Sequence, residues 1–342
     1  MEVKKENRGH ASLRPAGMAV LAAGMVLLVA SIAAAISAGA ADIQFSAVWR
    51  AVFHYEPARE ADRIIMSLRL PRELGAAVVG ATLAVSGAIM QGMTRNPLAD
   101  PGLLGLNAGA SLGLACLFAF FPHASFGAKM LFSFIGAAAG AGIVFGLGSL
   151  KKGGLTPLRL TLAGAAVSAL LTSLGEGIAL YFKLSQDLAF WSAGGVSGTT
   201  WPQLELVLPV TAAGLFLAVL MGKGLTVLSF GEETAKGLGQ RTFAVKTVLL
   251  LIVLILAGTA VSLAGQVAFA GLMVPHLARS LVGADYRWIL PCSAVFGAVL
   301  LVLADTAART INAPYETPVG AVVSLVGVPF FLYLARRGGK LR

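Results

Sequence analysis

GKGLTVLSFGEETAKGLGQRTFAVK, residues 222–246, decides how the rest of the chain is read. Apolar runs flank it, residues 204–221 before and 247–264 after. Between them stand Glu232, Glu233, Lys236, Arg241 and Lys246, a polar island in a chain that is only 12% charged. Residues 232–238 predict two short helical turns, with Gly237 and Gly239 as breakers. A short charged helix between two membrane spans is suited to docking on a soluble partner. The expectation is a pore-like helical bundle with this loop as the place where force enters.

Composition supports the membrane reading. The 342 residues are 57% hydrophobic with mean hydropathy +0.82, above the 45–50% apolar content usual for soluble domains. Net charge is +10. Basic residues gather on cytoplasmic loops, so this charge indicates topology rather than nucleic acid as a partner. Cys116 and Cys292 sit inside apolar runs without metal-ligand spacing and read as packed side chains. The apolar stretch near the N-terminus, residues 18–40, is longer than the 7–15 residues of a signal h-region, so it reads as a retained first span.

Ten spans are expected, at residues 17–40, 67–92, 101–121, 127–149, 157–182, 202–222, 244–264, 268–283, 288–309 and 316–335. With the N-terminus inside, 18 of the 26 basic residues fall on cytoplasmic segments, and the C-terminus returns to the same side. The domain reading is a cytoplasmic tail at 1–16, one transmembrane domain at 17–337 containing the loop 223–246, and a tail at 338–342.

Several local features carry possible function. Arg59, Arg63, Arg69 and Arg72 make the first outer loop and the following span's start basic, against the general rule. They either snorkel to headgroups or dock an acidic external partner. Asn96 and Asp100 each precede a proline, Pro97 or Pro101, and predict a rigid turn that is a reversal or a gate. Gly105, Gly109 and Gly113, with Gly136/Gly140 and Gly142/Gly146, predict closely packed helices. Ser173 and Glu176 share a face of the fifth span, where a carboxylate is a site candidate or bonds a neighbour in water near the mouth. The eighth span is short and interrupted by Pro275. His276 beside it is a proton carrier or, more simply, a structural polar group. Asp305 and Arg309, four apart, predict a pair within one helix. A faint echo between GATLAVSG at 80–87 and GTAVSLAG at 258–265 fits an inverted repeat. No phosphate-binding GxxxxGK[ST] loop, HExxH or CxxC is present, so ATP hydrolysis by this chain is not expected.

The sequence resembles the permease subunits of bacterial ATP-binding-cassette importers for iron-siderophores, haem and cobalamin, the FecCD type. The resemblance rests on Arg69-Leu-Pro-Arg72, Gly87-Ala-Ile-Met-Gln91, Asn96-Pro-Leu-Ala-Asp-Pro-Gly-Leu-Leu-Gly105, Gly271-Leu-Met-Val-Pro-His-Leu-Ala-Arg279 and Leu303-Ala-Asp-Thr-Ala-Ala-Arg309. It implies an all-α polytopic fold of about ten helices, the type II importer architecture, in the bacterial cytoplasmic membrane. It further implies a second permease subunit, two ATP-binding subunits holding ATP and Mg, and an extracytoplasmic substrate-binding protein, with no cofactor or metal on this chain. By position, Gly231, Glu232, Glu233, Lys236, Gly237, Leu238 and Gly239 match the helix that couples to the ATPase. Asn96, Pro97, Leu98, Gly154 and Thr156 match the cytoplasmic gate. Arg69, Arg72 and Arg309 match arginines that pair with binding-protein glutamates. Asn107, Ser173 and Glu176 are the candidates for pathway polarity. The expected cargo is an iron(III)-siderophore of hydroxamate type, with haem or cobalamin as alternatives. An ion-coupled transporter and a membrane enzyme using Glu176 and His276 are the rivals from other classes.

Overall fold

The computed structural model describes residues 8–38, 45–149, 157–313 and 315–338, and over these the chain is all-α. In order it forms α1 (Arg8–Ser37), α2 (Phe45–Phe53), α3 (Glu60–Ile64), a π-helical turn (Ile65–Arg69) and α4 (Leu70–Thr94). A 3-10 turn (Pro101–Leu104) leads to α5 (Leu106–Phe120), α6 (Phe126–Ser149), α7 (Pro157–Tyr181) and α8 (Ser185–Ser192). Then come α9 (Trp201–Ser229), α10 (Glu232–Gly237), α11 (Thr242–Ala264), α12 (Ala270–Val282), α13 (Tyr286–Thr310) and α14 (Val319–Gly338). Among the described residues, seven helical segments are long and apolar enough to cross a membrane: those of α1, α3–α4, α6, α7, α9, α11 and α13. The other three predicted spans correspond to α5, α12 and α14, whose apolar helical stretches are shorter.

Helix α4 is the axis of the bundle, with α9, α11, α12 and α13 packed around it. Its sequence, LPRELGAAVVGATLAVSGAIMQGMT, explains why. Small side chains recur along it and let neighbouring backbones come close, which supplies packing attraction that lipid cannot. A Cβ on Gly80 would stand 2.0 Å from the Gly297 carbonyl oxygen of α13. One on Gly87 would stand 1.8 Å from that of Gly271 in α12. The predicted glycine stripe of α5 behaves likewise: Gly109 meets Gly136, and Gly105 meets Gly140. Gly142 packs against nothing nearby. In the 80–87 and 258–265 echo the first glycines differ, Gly80 meeting the Gly297 backbone and Gly258 the Phe134 ring, whereas Gly87 and Gly265 both face a helix carbonyl oxygen, of Gly271 and Trp191.

Several boundaries differ from the sequence reading: α1 begins at Arg8 rather than 17, and the helical segment leading through α4 begins at Glu60 rather than 67. Helix α9 continues seven residues past the expected end at 222, to Ser229, and α11 begins at Thr242. Leu225 and Leu228 are fully buried, so the helix keeps an apolar face against the bundle while Lys223 reaches solvent. The polar connection therefore contracts to residues 230–241 with α10 at its centre.

The bundle has two ends. At the Arg72 end lie the C-terminus of α1, the starts of α4 and α9 and the C-terminus of α13. At the Gly231 end lie the turn after α4, α10, and the starts of α11 and α13. Helix α9 joins the two: its first residue, Trp201, donates Nε1–H to the Met66 carbonyl in the π-helical turn at 2.6 Å.

Candidate functional site

At the Gly231 end, α10 is closed on itself by charge. Glu232 pairs with Lys236 at 3.1 Å, one helical turn on, and with Lys246 of α11. The Lys246 and Lys236 ammonium groups hold the Glu232 carboxyl down to about 2. The Ala235 side chain is buried under α10, and the Ala235 carbonyl accepts from Gln240 N–H at 2.9 Å. Gly231 has φ 126° and Gly239 φ 80°, backbone geometry that suits glycine and turns the chain sharply on either side of α10. The outward face is different: Glu233, Lys236 and Gly237 are exposed, as are Phe230, Leu238 (70%) and Phe243 (83%).

The turn after α4 lies beside α10. Arg95 ends α4 in the left-handed region at φ 52°. Its Nη1 lies 3.5 Å from where a Cβ of Gly231 would stand. Asn96 Oδ1 accepts from Leu98 N–H at 3.0 Å, and Asp100 Oδ1 accepts from Gly102 N–H at 2.8 Å. The predicted turn therefore forms, with Asn96 and Asp100 each closing it by a side-chain bond to the backbone two residues on. Nearby, Thr226 Oγ accepts from Tyr286 N–H at 2.9 Å and donates to Asp285, tying the end of α9 to the start of α13.

Higher in the bundle, α4 completes the broken helix α12. Pro275 has no N–H, so the Gly271 carbonyl four residues earlier lacks its helical donor. Gln91 Nε2 supplies it at 3.3 Å and also donates to the Leu272 carbonyl at 3.1 Å. His276 packs edge-on against Phe330 of α14, with ring centroids 5.7 Å apart.

At the Arg72 end the charges are sequestered. Arg72 grips Asp305 through two N–H groups, Nε at 2.8 Å and Nη2 at 3.0 Å, and gives Nη1 to Glu316 at 2.5 Å. Arg309 pairs with Glu73 and donates to the Ala35 carbonyl at 2.7 Å. Arg69 donates to the carbonyls of Ile36 and Ser37. The side chains of Asp305 and Glu73 are fully buried, and those of Arg72 and Arg309 are only 13% and 9% exposed. The expected pairing within α13 is thus minor. Arg309 Nε is 3.9 Å from Asp305, and both residues turn instead to α4.

This bundle matches known proteins over nearly its whole length. The FecCD transport family model covers residues 27–337. The chain belongs to the FecCD transport family. An iron(3+)-hydroxamate import system permease, FhuB of Bacillus subtilis, is 56% identical over 318 residues, 93% of this chain and 83% of that protein. A hemin transport system permease, HmuU of Yersinia pestis, is 41% identical over 320 residues, 89% of this chain and 91% of that one. Among solved structures, a metal-chelate type ABC transporter in an inward-facing conformation superposes with a TM-score of 0.81 at 27% identity, covering 93% of this chain and 99% of the other.

In this FecCD permease, a multi-pass protein of the cell membrane, the sequence candidates fall into separate places. Gly231, Glu232, Glu233, Lys236, Gly237, Leu238 and Gly239 form one surface with Arg95 behind it. Asn96, Pro97 and Leu98 follow Arg95 directly in the turn after α4, whereas Gly154 and Thr156 lie outside the described residues. Ser173 and Glu176 share the open face of α7. Asn107 does not join them. Asn107 Nδ2 instead lies 2.8 Å from where a Cβ of Gly102 would stand, against the 3-10 turn before α5. Glu73 and Glu316 were not singled out by sequence. The available signal for Glu73 was a carboxylate within an apolar span, the same signal that drew attention to Glu176.

Proposed function

We propose that this chain is one permease of an ATP-driven importer that carries an iron(III)-siderophore, of hydroxamate type, across the bacterial cytoplasmic membrane. Its pathway forms against a second permease, identical or homologous, which would cover the open faces of α7 and α14. The observation that carries the reading is the 56% identity with a hydroxamate permease over 93% of the chain. In this reading the Gly231 end is cytoplasmic, with both termini on that side, and α10 docks on one of two ATP-binding subunits that hold ATP and Mg. The exposed Leu238 and Glu233 are its contact residues. The Arg95 turn and residues 96–98 form the inner gate, so movement of α10 reaches the gate through Arg95 against Gly231. At the Arg72 end, Arg72 offers the substrate-binding protein its solvent-facing contact, with Arg69 and Arg309 held behind it by their internal partners, and Ser173 and Glu176 line the pathway.

The test is uptake of a radiolabelled ferric hydroxamate by proteoliposomes holding the assembled transporter. Glu233→Arg should leave the permease in the membrane and the ATPase active while uptake falls at least tenfold. Unchanged uptake removes the docking role of α10. Uptake that persists without the ATPase and collapses with a protonophore would establish the ion-coupled alternative instead. Haem in place of the hydroxamate tests the second substrate reading, which the 41% identity to a hemin permease favours.

A further inference from the structure

The Arg72 end holds two carboxylates on one guanidinium, and they are not equivalent. Asp305 occupies one edge of Arg72 with two hydrogen bonds and is fully buried. Glu316 occupies a further N–H through a single bond, and its side chain is 50% exposed. A second hydrogen bond joins it to Ser197. Burial raises the Glu316 carboxyl, but the bonds from Arg72 outweigh this and hold it below its usual value, so it is ionised at neutral pH. Glu316 also sits in the short connection between α13 and α14, where Thr317 N–H reaches back to the Ala308 carbonyl at 3.2 Å. The solvent-facing contact of Arg72 is therefore already filled by a residue of the same chain, with the charge and shape of an acidic side chain from outside.

We propose that Glu316 is a resident competitor at the Arg72 end. An acidic residue of the substrate-binding protein displaces it from Arg72, and Glu316 thereby sets the affinity of docking and admits only partners whose carboxylate can take its place. This rests on the reading that Arg72 docks that protein. Asp305 remains in place during the exchange, since it is buried and doubly bonded. Displacement unties the α13–α14 connection from α4, so docking is sensed by the start of α14. A single solvent-accessible ion pair is the kind of contact that exchanges readily.

The experiment measures the dissociation constant between the assembled transporter in nanodiscs and its substrate-binding protein loaded with a ferric trihydroxamate. Glu316→Gln should tighten binding about two- to fivefold, the scale of one exposed ion pair. Glu316→Asp, with a shorter reach, should shift it in the same direction by less, and it carries the test if the glutamine variant does not assemble. Arg72→Lys keeps a positive charge beside Asp305 but loses the forked contact, and should weaken binding. In the Arg72→Lys background, Glu316→Gln should bring little further gain. If Arg72→Lys weakens docking while neither Glu316 variant tightens it, the competitor role fails and the docking reading stands. If Arg72→Lys leaves docking unchanged, the docking reading fails and the competitor role goes with it.

Discussion

The two ends of this permease handle charge in opposite ways. At the Arg72 end, Arg72, Arg309, Glu73 and Asp305 are withdrawn from solvent and tie α1, α4 and α13 together. At the Gly231 end, Glu232, Lys236 and Lys246 form pairs that remain in contact with water, while Phe230, Leu238 and Phe243 are uncovered. A buried ion pair depends on both partners, because removing one leaves the other uncompensated in a poor solvent. An exposed pair is nearly neutral in energy. The first end is thus a structural fastening with a small solvent-facing site on it. The second is a surface whose energy is left for another molecule.

Substitutions can break that contrast in a definite order. Arg309→Met strands Glu73 and should cost about 3–5 kcal/mol of stability, with most of it recovered in the Glu73→Met/Arg309→Met double variant. Thermal unfolding of the purified protein in detergent checks both. A single variant as stable as the parent would mean that the Arg72 end is not held by charge. Gln91→Leu takes the donor from the Gly271 carbonyl and should cost about 1–3 kcal/mol by the same measurement. Glu232→Gln should cost no more than about 1 kcal/mol, since its partners are solvated. Because the Glu232 carboxyl is lowered to about 2, its contribution is whole above the ordinary value near 4.5 and fades as pH falls from there towards 2. Hydrogen exchange of α10 between pH 5 and 7 should accordingly show no change attributable to Glu232.

Much of the fold was legible because membrane helices declare themselves locally. Ten apolar stretches, the turn at Asn96 and Asp100, and the glycine spacing of α5 and α6 each depend on residues close in sequence. The charge pattern of the Arg72 end was not legible in the same way. Spacing within α13 suggested Asp305 with Arg309, but the register of α13 against α4 brings Arg72 and Glu73 nearer, and no local pattern encodes that register. The Gln91 contact was hidden for a similar reason: Pro275 announced a missing donor, and only the packing of α4 on α12 shows which side chain replaces it. The end of α9 was misplaced because Lys223 looked like a boundary, although the helix only needed its buried side to persist.

Helix α9 has one further consequence. Its 29 residues run unbroken from the Trp201 anchor on the π-helical turn to the threshold of α10, a length of about 43 Å. Its two prolines, Pro202 in the first turn and Pro209 in the interior, both stand near the Trp201 end. Such an element acts as a strut: strain applied at its foot has no loop in which to dissipate, and it arrives at the Met66 carbonyl, inside the widened π-helical turn that leads into Pro71.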